Sequence, residues 1–141
     1  IILASAGLKR LDLSDRIAQE IPHDILLPAM GQGAVGIETR KNDTKTFDFV
    51  SYLNHKNTYH AVNAERALVK KLDGGCQVPI GAYAIIQEGS LILKGLVASL
   101  DGEIIYKSEC VGSKDDAINI GEKLGAQLLN MGAGEILEKL I

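Results

Sequence analysis

Apolar residues recur at helical spacing through the middle of the chain, where Ala61, Ala64, Leu68 and Leu72 stand three or four apart and Gly74-Gly75 follows as a stop. This spacing predicts a helix over about 58–72 whose buried face is made mainly of alanines. Three strand-like segments come next, at about 83–87, 91–98 and 103–111, separated by the turn-forming stretches Glu88-Gly89-Ser90 and Asp101-Gly102. Turns that short join antiparallel neighbours, so a meander is expected. In the third segment Tyr106, Ser108 and Cys110 share one face and Ile105, Lys107, Glu109 and Val111 the other. Neither face is cleanly apolar, which suits an edge strand. Ser113-Lys114-Asp115-Asp116 has the form of a capping box with Asp in the Glu position, and it opens a helix to about Asn130 with Ala117, Gly121, Leu124 and Leu128 on one side. That helix should cover the meander. Gly132-Ala133-Gly134 breaks it, and Ile136, Leu137 and Leu140 suit a last amphipathic helix.

The first part of the chain reads as pieces. Ile1 to Gly7 suits a strand cut from a longer protein, since it has neither the basic leader of a signal sequence nor a starting Met. Ser14-Asp15-Arg16 offers a helix start before Ile17, Ala18 and Ile21, with Pro22 as the stop. Residues 25–33 carry two glycines and Pro28 between apolar patches, a composition for a crossing segment or hinge. Ala34-Val35-Gly36-Ile37 reads as a short buried strand, and Asp43 or Thr44 can cap a helix to about Leu53. A domain boundary is placed at the break that follows, separating 1–54 from 55–141. The fold class expected is α+β: a three-stranded antiparallel sheet packed by helices, preceded by partial α/β segments that cannot enclose a core of their own.

Composition narrows the function classes. Hydrophobic residues are 46% of the chain and charged residues 23%, ordinary usage for a globular domain. No apolar run approaches the roughly 20 residues needed to cross a bilayer, so no membrane span is expected. With a net charge of −3 and scattered basic residues, nucleic acid is not an expected partner. Cys76 and Cys110 have no CxxC spacing, and His23, His55 and His60 form no metal pattern with them. Neither a disulfide framework nor a metal site is indicated, and a reducing, cytoplasmic setting is expected.

Candidate chemistry enters at Gly74-Gly75-Cys76-Gln77-Val78-Pro79-Ile80-Gly81, which places a nucleophilic sulfur on a glycine-rich turn between a helix and a strand. Gly75 removes the Cβ that would crowd whatever attaches to the thiol of Cys76. Only a thiolate reacts, and nothing in the sequence sets the pKa of this one. From composition alone Cys76 reads as a small buried apolar residue at a loop.

The octapeptide as a unit closely resembles the cofactor-attachment loop of the porphobilinogen deaminases, also called hydroxymethylbilane synthases. Three further segments resemble the family in its own order: Ala6-Gly7-Leu8-Lys9-Arg10-Leu11, the stretch from Leu27 to Glu38, and Ala64-Glu65-Arg66-Ala67. The resemblance implies a transferase that joins four porphobilinogen molecules head to tail, with release of ammonia, into the linear tetrapyrrole hydroxymethylbilane. It implies that Cys76 carries a dipyrromethane cofactor through a thioether, the primer on which the growing polypyrrole is extended; a covalent tether supplies a large effective concentration. Arg10 is matched to an arginine that pairs with cofactor or substrate carboxylates. Gly31, Gln32 and Gly33 are matched to a segment joining two domains and are assigned to hinge geometry.

The resemblance also implies what lies elsewhere. The family's catalytic aspartate and most of its carboxylate-binding arginines belong to a region upstream, so no catalytic residue is expected in this chain. Alone it should be inactive and free of cofactor, with Cys76 a thiol on an accessible loop. Its partner is then the N-terminal portion of the same enzyme, the complete enzyme is expected to be a monomer, and the apolar faces before Asn54 favour self-association of the fragment. Lys9 reads as a solvated basic residue, Glu65 and Arg66 as a solvated face or a structural ion pair. Cys110 reads as a packing residue and the three histidines as surface or loop residues. Two other readings compete: a non-catalytic binding module that retained the loop, and a thiol enzyme pairing Cys76 with a histidine, for which no histidine has a companion motif.

Overall fold

The computed structural model describes residues 1–73 and 78–139. Helix α1 (Ser5–Arg10) and helix α2 (Thr44–Val50) are short, with single 3-10 turns at Ser14–Arg16 and Ser51–Leu53 beside them. Regular structure then becomes continuous: α3 (Lys56–Lys71), strands β1 (Ile80–Gln87), β2 (Ser90–Ala98) and β3 (Ile105–Ser113), α4 (Ala117–Leu128) and α5 (Gly134–Glu138). The strands form one antiparallel sheet in the order β1-β2-β3, with Ile92 of β2 opposite Ile85 of β1 and Val111 of β3. This is the α+β meander expected, and β3 is an edge strand.

Alternation decides which face of the sheet is covered. Ala82, Ala84, Leu91, Leu93, Val97 and Cys110 point to one side and are buried against Ala61, Ala64, Leu68 and Leu72 of α3 and its end, and against Ile120, Leu124 and Leu128 of α4. Each fully buried leucine here contributes on the order of 1.5–3 kcal/mol relative to exposure. Alanines on α3 allow a close helix pair: a Cβ added at Gly121 of α4 would run into the Ala64 carbonyl and would lie 2.6 Å from the Ala67 Cβ. The two backbones therefore meet where both sequences are smallest.

Helix ends follow local chemistry. Asp43 accepts from the Thr46 amide at 3.0 Å and starts α2, and the His55 ring nitrogen accepts from the Thr58 amide at 3.3 Å and starts α3. Ser113 accepts from the Asp115 amide, but a 3-10 turn at Lys114–Asp116 precedes α4 in place of a full capping box. After α4 the chain makes a wide turn over Leu129–Ala133, where Gly132 has φ 116°. Ile136 and Leu137 of α5 are buried; Leu140 lies outside the described residues.

Three expectations for the first 54 residues fail. Residues 1–7 form no strand, since α1 already begins at Ser5, residues 34–37 are not a strand, and the segment after Ser14 is one 3-10 turn in place of a helix. A strand needs a neighbour to take its backbone hydrogen bonds, and a helix of two turns needs a face to pack against, because its nucleation is unfavourable. Neither neighbour is present among the described residues: Val35 is 94% exposed, Phe49 77%, and Leu27 alone among residues 1–54 is buried. The partial α/β segments are thus partial helices only. In the opposite direction, β1 begins at Ile80, three residues earlier than expected, because Ile80 and Gly81 pair with Val97 and Leu96 of β2. Among the described residues no helix is long and apolar enough to cross a membrane, and no group of metal-ligating side chains occurs.

Candidate cofactor-anchoring site

Cys76 and Gly75 lie outside the described residues, with Gly74 and Gln77. The elements on either side are well defined. Helix α3 ends at Lys71 with Lys70 and Lys71 exposed in its last turn, where positive charge suits the carbonyl end of a helix, and Leu72 is buried. On the far side the Pro79 carbonyl accepts from the Ala98 amide at 3.0 Å, which fixes the entry to β1 against the end of β2. Because α3 and β1 pack on each other, both flanks of the cysteine belong to one rigid unit.

Cys110 has the packing role expected of it. It is buried at 7% exposure, its Sγ lies 3.1 Å from the Gln127 Oε1, and burial pushes its thiol above the ordinary range. Such a thiol is a poor nucleophile.

The segment expected to be a hinge is laid across the sheet as a strap. His23 stacks on Tyr83 of β1 with ring centroids 3.9 Å apart, and Lys107 of β3 reaches the Asp24 carbonyl at 3.4 Å. Leu27 packs on Gly81, and the Pro28 carbonyl accepts from the Ala82 amide at 2.9 Å. The strap ends in a turn in which Gly31 and Gly33 have φ of 69° and 84°, values that favour glycine, with Gln32 exposed between them. The Gly31 amide donates to Glu65 Oε2 at 2.7 Å, while Glu65 Oε1 accepts from the Ala84 amide at 2.8 Å.

Glu65 corrects the reading of a solvated face or ion pair. It is 6% exposed and bonded to two backbone amides, one on the strap and one on the edge of β1. Burial pushes its carboxyl above the ordinary value, and the bonds from Gly31 and Ala84 act in the other direction. The signal was present in the spacing, since residue 65 is four after Ala61 and three before Leu68, on the stripe that packs. Arg66, one position on, is exposed as expected.

Arg10 closes the exposed helix α1. Its neighbour Lys9 pairs with Glu20 at 2.6 Å, and this holds the Glu20 carboxyl below the ordinary range. Among the described residues no hydrogen bond or ion pair links Arg10 to the strap or the sheet. The fold thus brings Gly31 and Ala84 of β1 together at Glu65 of α3 and leaves Arg10 apart. Of the histidines, His55 caps α3, His60 is half-buried within that helix, and His23 belongs to the strap.

Comparison with known proteins identifies the class. Residues 1–48 match the family described as "Porphobilinogen deaminase, dipyromethane cofactor binding domain", and residues 59–130 match "Porphobilinogen deaminase, C-terminal domain". Arg10 and Gly31–Gly33 fall in the first match and Cys76 in the second. The chain belongs to the porphobilinogen deaminase family, a family of transferases. Among its relatives, the porphobilinogen deaminase of Buchnera aphidicola (subsp. Acyrthosiphon pisum, strain Tuc7) is 49% identical over 140 residues, covering 99% of this chain and 45% of the relative. That of Carboxydothermus hydrogenoformans is 46% identical with the same coverage, and that of Chlorobium phaeobacteroides is 47% identical over 144 residues, with 99% of this chain and 46% of the relative covered. The chain spans slightly less than half the length of these proteins.

Proposed function

We propose that this chain is the C-terminal portion of a hydroxymethylbilane synthase and anchors its dipyrromethane primer through Cys76. The observation that carries the reading is the octapeptide Gly74–Gly81, which lies inside the match to the C-terminal domain and follows a match described by the cofactor itself. In the complete enzyme the bound primer supplies a tethered end on which four porphobilinogen units are joined. Cys76 holds the group, Gly75 leaves room for it, and the Arg10 guanidinium takes a carboxylate of the cofactor or of the substrate. Gly31, Gln32 and Gly33 form the joint between parts. Residues 1–54 belong with the upstream domains and 55–141 form the anchoring unit. The partner is then the N-terminal portion of the same enzyme, which brings the aspartate for ammonia loss, and the complete protein is a cytoplasmic monomer. The isolated chain is inactive and carries no cofactor.

The test is mass spectrometry of Cys76 after co-expression of the chain with the upstream portion of a relative. A mass gain of two pyrrole units on Cys76 is expected, absent from Cys76→Ser together with all turnover and retained in Cys110→Ser. Serine is nearly isosteric, so Cys76→Ser should fold, but its hydroxyl is a far weaker nucleophile at neutral pH. Tetrapyrrole synthesis by a folded Cys76→Ser protein would overturn the reading.

A further inference from the structure

The part of the chain that matches the cofactor-binding domain touches the anchoring unit through the strap, and at the strap's end the Gly31 amide is held by Glu65. Residues 22–31 lie along the sheet and complete its edge: β1 is an outer strand, and its Ala82 and Ala84 amides are taken by the Pro28 carbonyl and the Glu65 carboxylate. Bare amides along a strand edge would otherwise need water or another chain. The second oxygen of Glu65 takes the Gly31 amide at the positive-φ turn where the strap leaves the sheet. Two donors from separate parts of the molecule thus converge on one carboxylate, and only a group with two acceptor oxygens satisfies both.

We propose that Glu65 is a positioning residue, a two-point clasp that fixes the strap to the anchoring unit and so sets how residues 1–48 are carried relative to the unit that holds Cys76. The assignment of a reaction to this arrangement rests on the function proposed above; the clasp itself does not. Just past the fastened Gly31 amide, Gly33 has a φ of 84° and open surroundings, so no side chain blocks the turn by which the chain leaves the sheet. Burial disfavours the charge on Glu65, so its value to the molecule is the direction of its two oxygens more than net stability. Among the described residues no ionised side chain adds to the influences on this group, which are burial and the two amides.

Glu65→Gln separates a clasp from packing, since glutamine has the same shape but one acceptor oxygen where the carboxylate has two. Amide hydrogen exchange followed by NMR on the 141-residue chain should show Gly31 or Ala84 exchanging about tenfold faster or more, with Leu93 and Leu124 unchanged. Equal protection of both amides in Glu65→Gln and the parent chain would overturn the clasp. In protein co-expressed with the upstream portion, Glu65→Gln should carry the adduct on Cys76 as the parent does, while kcat falls about fivefold or more and KM moves less than about twofold. An unchanged kcat would overturn the positioning role. Gly31→Val attacks the clasp from the strap, away from the sheet core, because a β-branched residue does not tolerate positive φ. It should lower kcat similarly, and the double variant should be no worse than the weaker single one; additive losses would count against a shared clasp. Should the parent complex show no adduct, the function proposed above fails while the exchange measurement still decides the clasp.

Discussion

Residues 1–54 and the unit that starts at Lys56 contain apolar side chains in similar variety, yet they use them in opposite ways. From α3 onward leucines and alanines close over one another, and Leu68, Leu91, Leu93, Leu124 and Leu128 are fully buried. Before it, Ile1, Val35, Phe47, Phe49 and Tyr52 all stand exposed. The difference teaches that an apolar pattern is a demand for a partner, and that here one region meets the demand internally. The relatives are about twice as long, and of these exposed residues Ile1, Val35 and Phe47 lie in the region matched to the cofactor-binding domain.

The largest contrast should appear in hydrogen exchange. Amides of Leu93 and Leu124 should exchange only through global opening, on the order of 5–15 kcal/mol, while those before the strap should exchange nearly as free peptide. Equal protection in the two regions of a monomeric sample would erase the comparison. Leu124→Ala comes next: with no exposed surface at this residue the substitution should cost about 2–5 kcal/mol in chemical denaturation. A loss below that range would mean that the helix pair does not carry the core. Phe49→Ala should change the isolated chain by less than about 0.5 kcal/mol, as an exposed position does. In the protein joined to its upstream portion the same substitution should cost several times more, and an unchanged value there would show that α2 faces water in both states. The smallest effect concerns acid. Because Lys9 depresses the Glu20 carboxyl in the fold, its contribution is present above the ordinary value of 4.5 and is lost as pH falls through the depressed value. Glu20→Gln should therefore flatten the local NMR response of residues 9–20 to acid, and an unaltered response would remove the pair from any role in holding α1.

The elements with a strong period were legible before any coordinates. Alanine and leucine spacing located α3 and α4 to within a turn, and short glycine turns gave the meander and its order. What failed had a common cause. Ile1-Ile2-Leu3 and Ala34-Val35 have strand composition, but strand formation is a property of a pair, and one member cannot report the absence of the other. Ile80 and Gly81 read as turn because the residues that make them strand, Val97 and Leu96 of β2, lie some distance away in sequence. Glu65 was hidden by its own charge, which suggests solvent even at a position whose spacing points inward. The role proposed for Cys76 rests on the resemblance of its octapeptide, since no property of an isolated thiol singles it out.

The close meeting of α3 with α4 at Gly121 has a consequence for how the protein is born. Leu68 emerges long before Leu124, and at synthesis rates of roughly 5–20 residues per second the interval is roughly 3–11 s. Throughout that wait the packing face of α3 has no mate, because both the meander and the covering helix are still to come. A face of large side chains would be a target for chaperones or for another nascent chain during those seconds. On that face Leu68 and Leu72 are large, but Ala61, Ala64 and Ala67 offer little to grip. The small residues that let two backbones touch in the finished molecule thus also keep the unfinished one from wrong company.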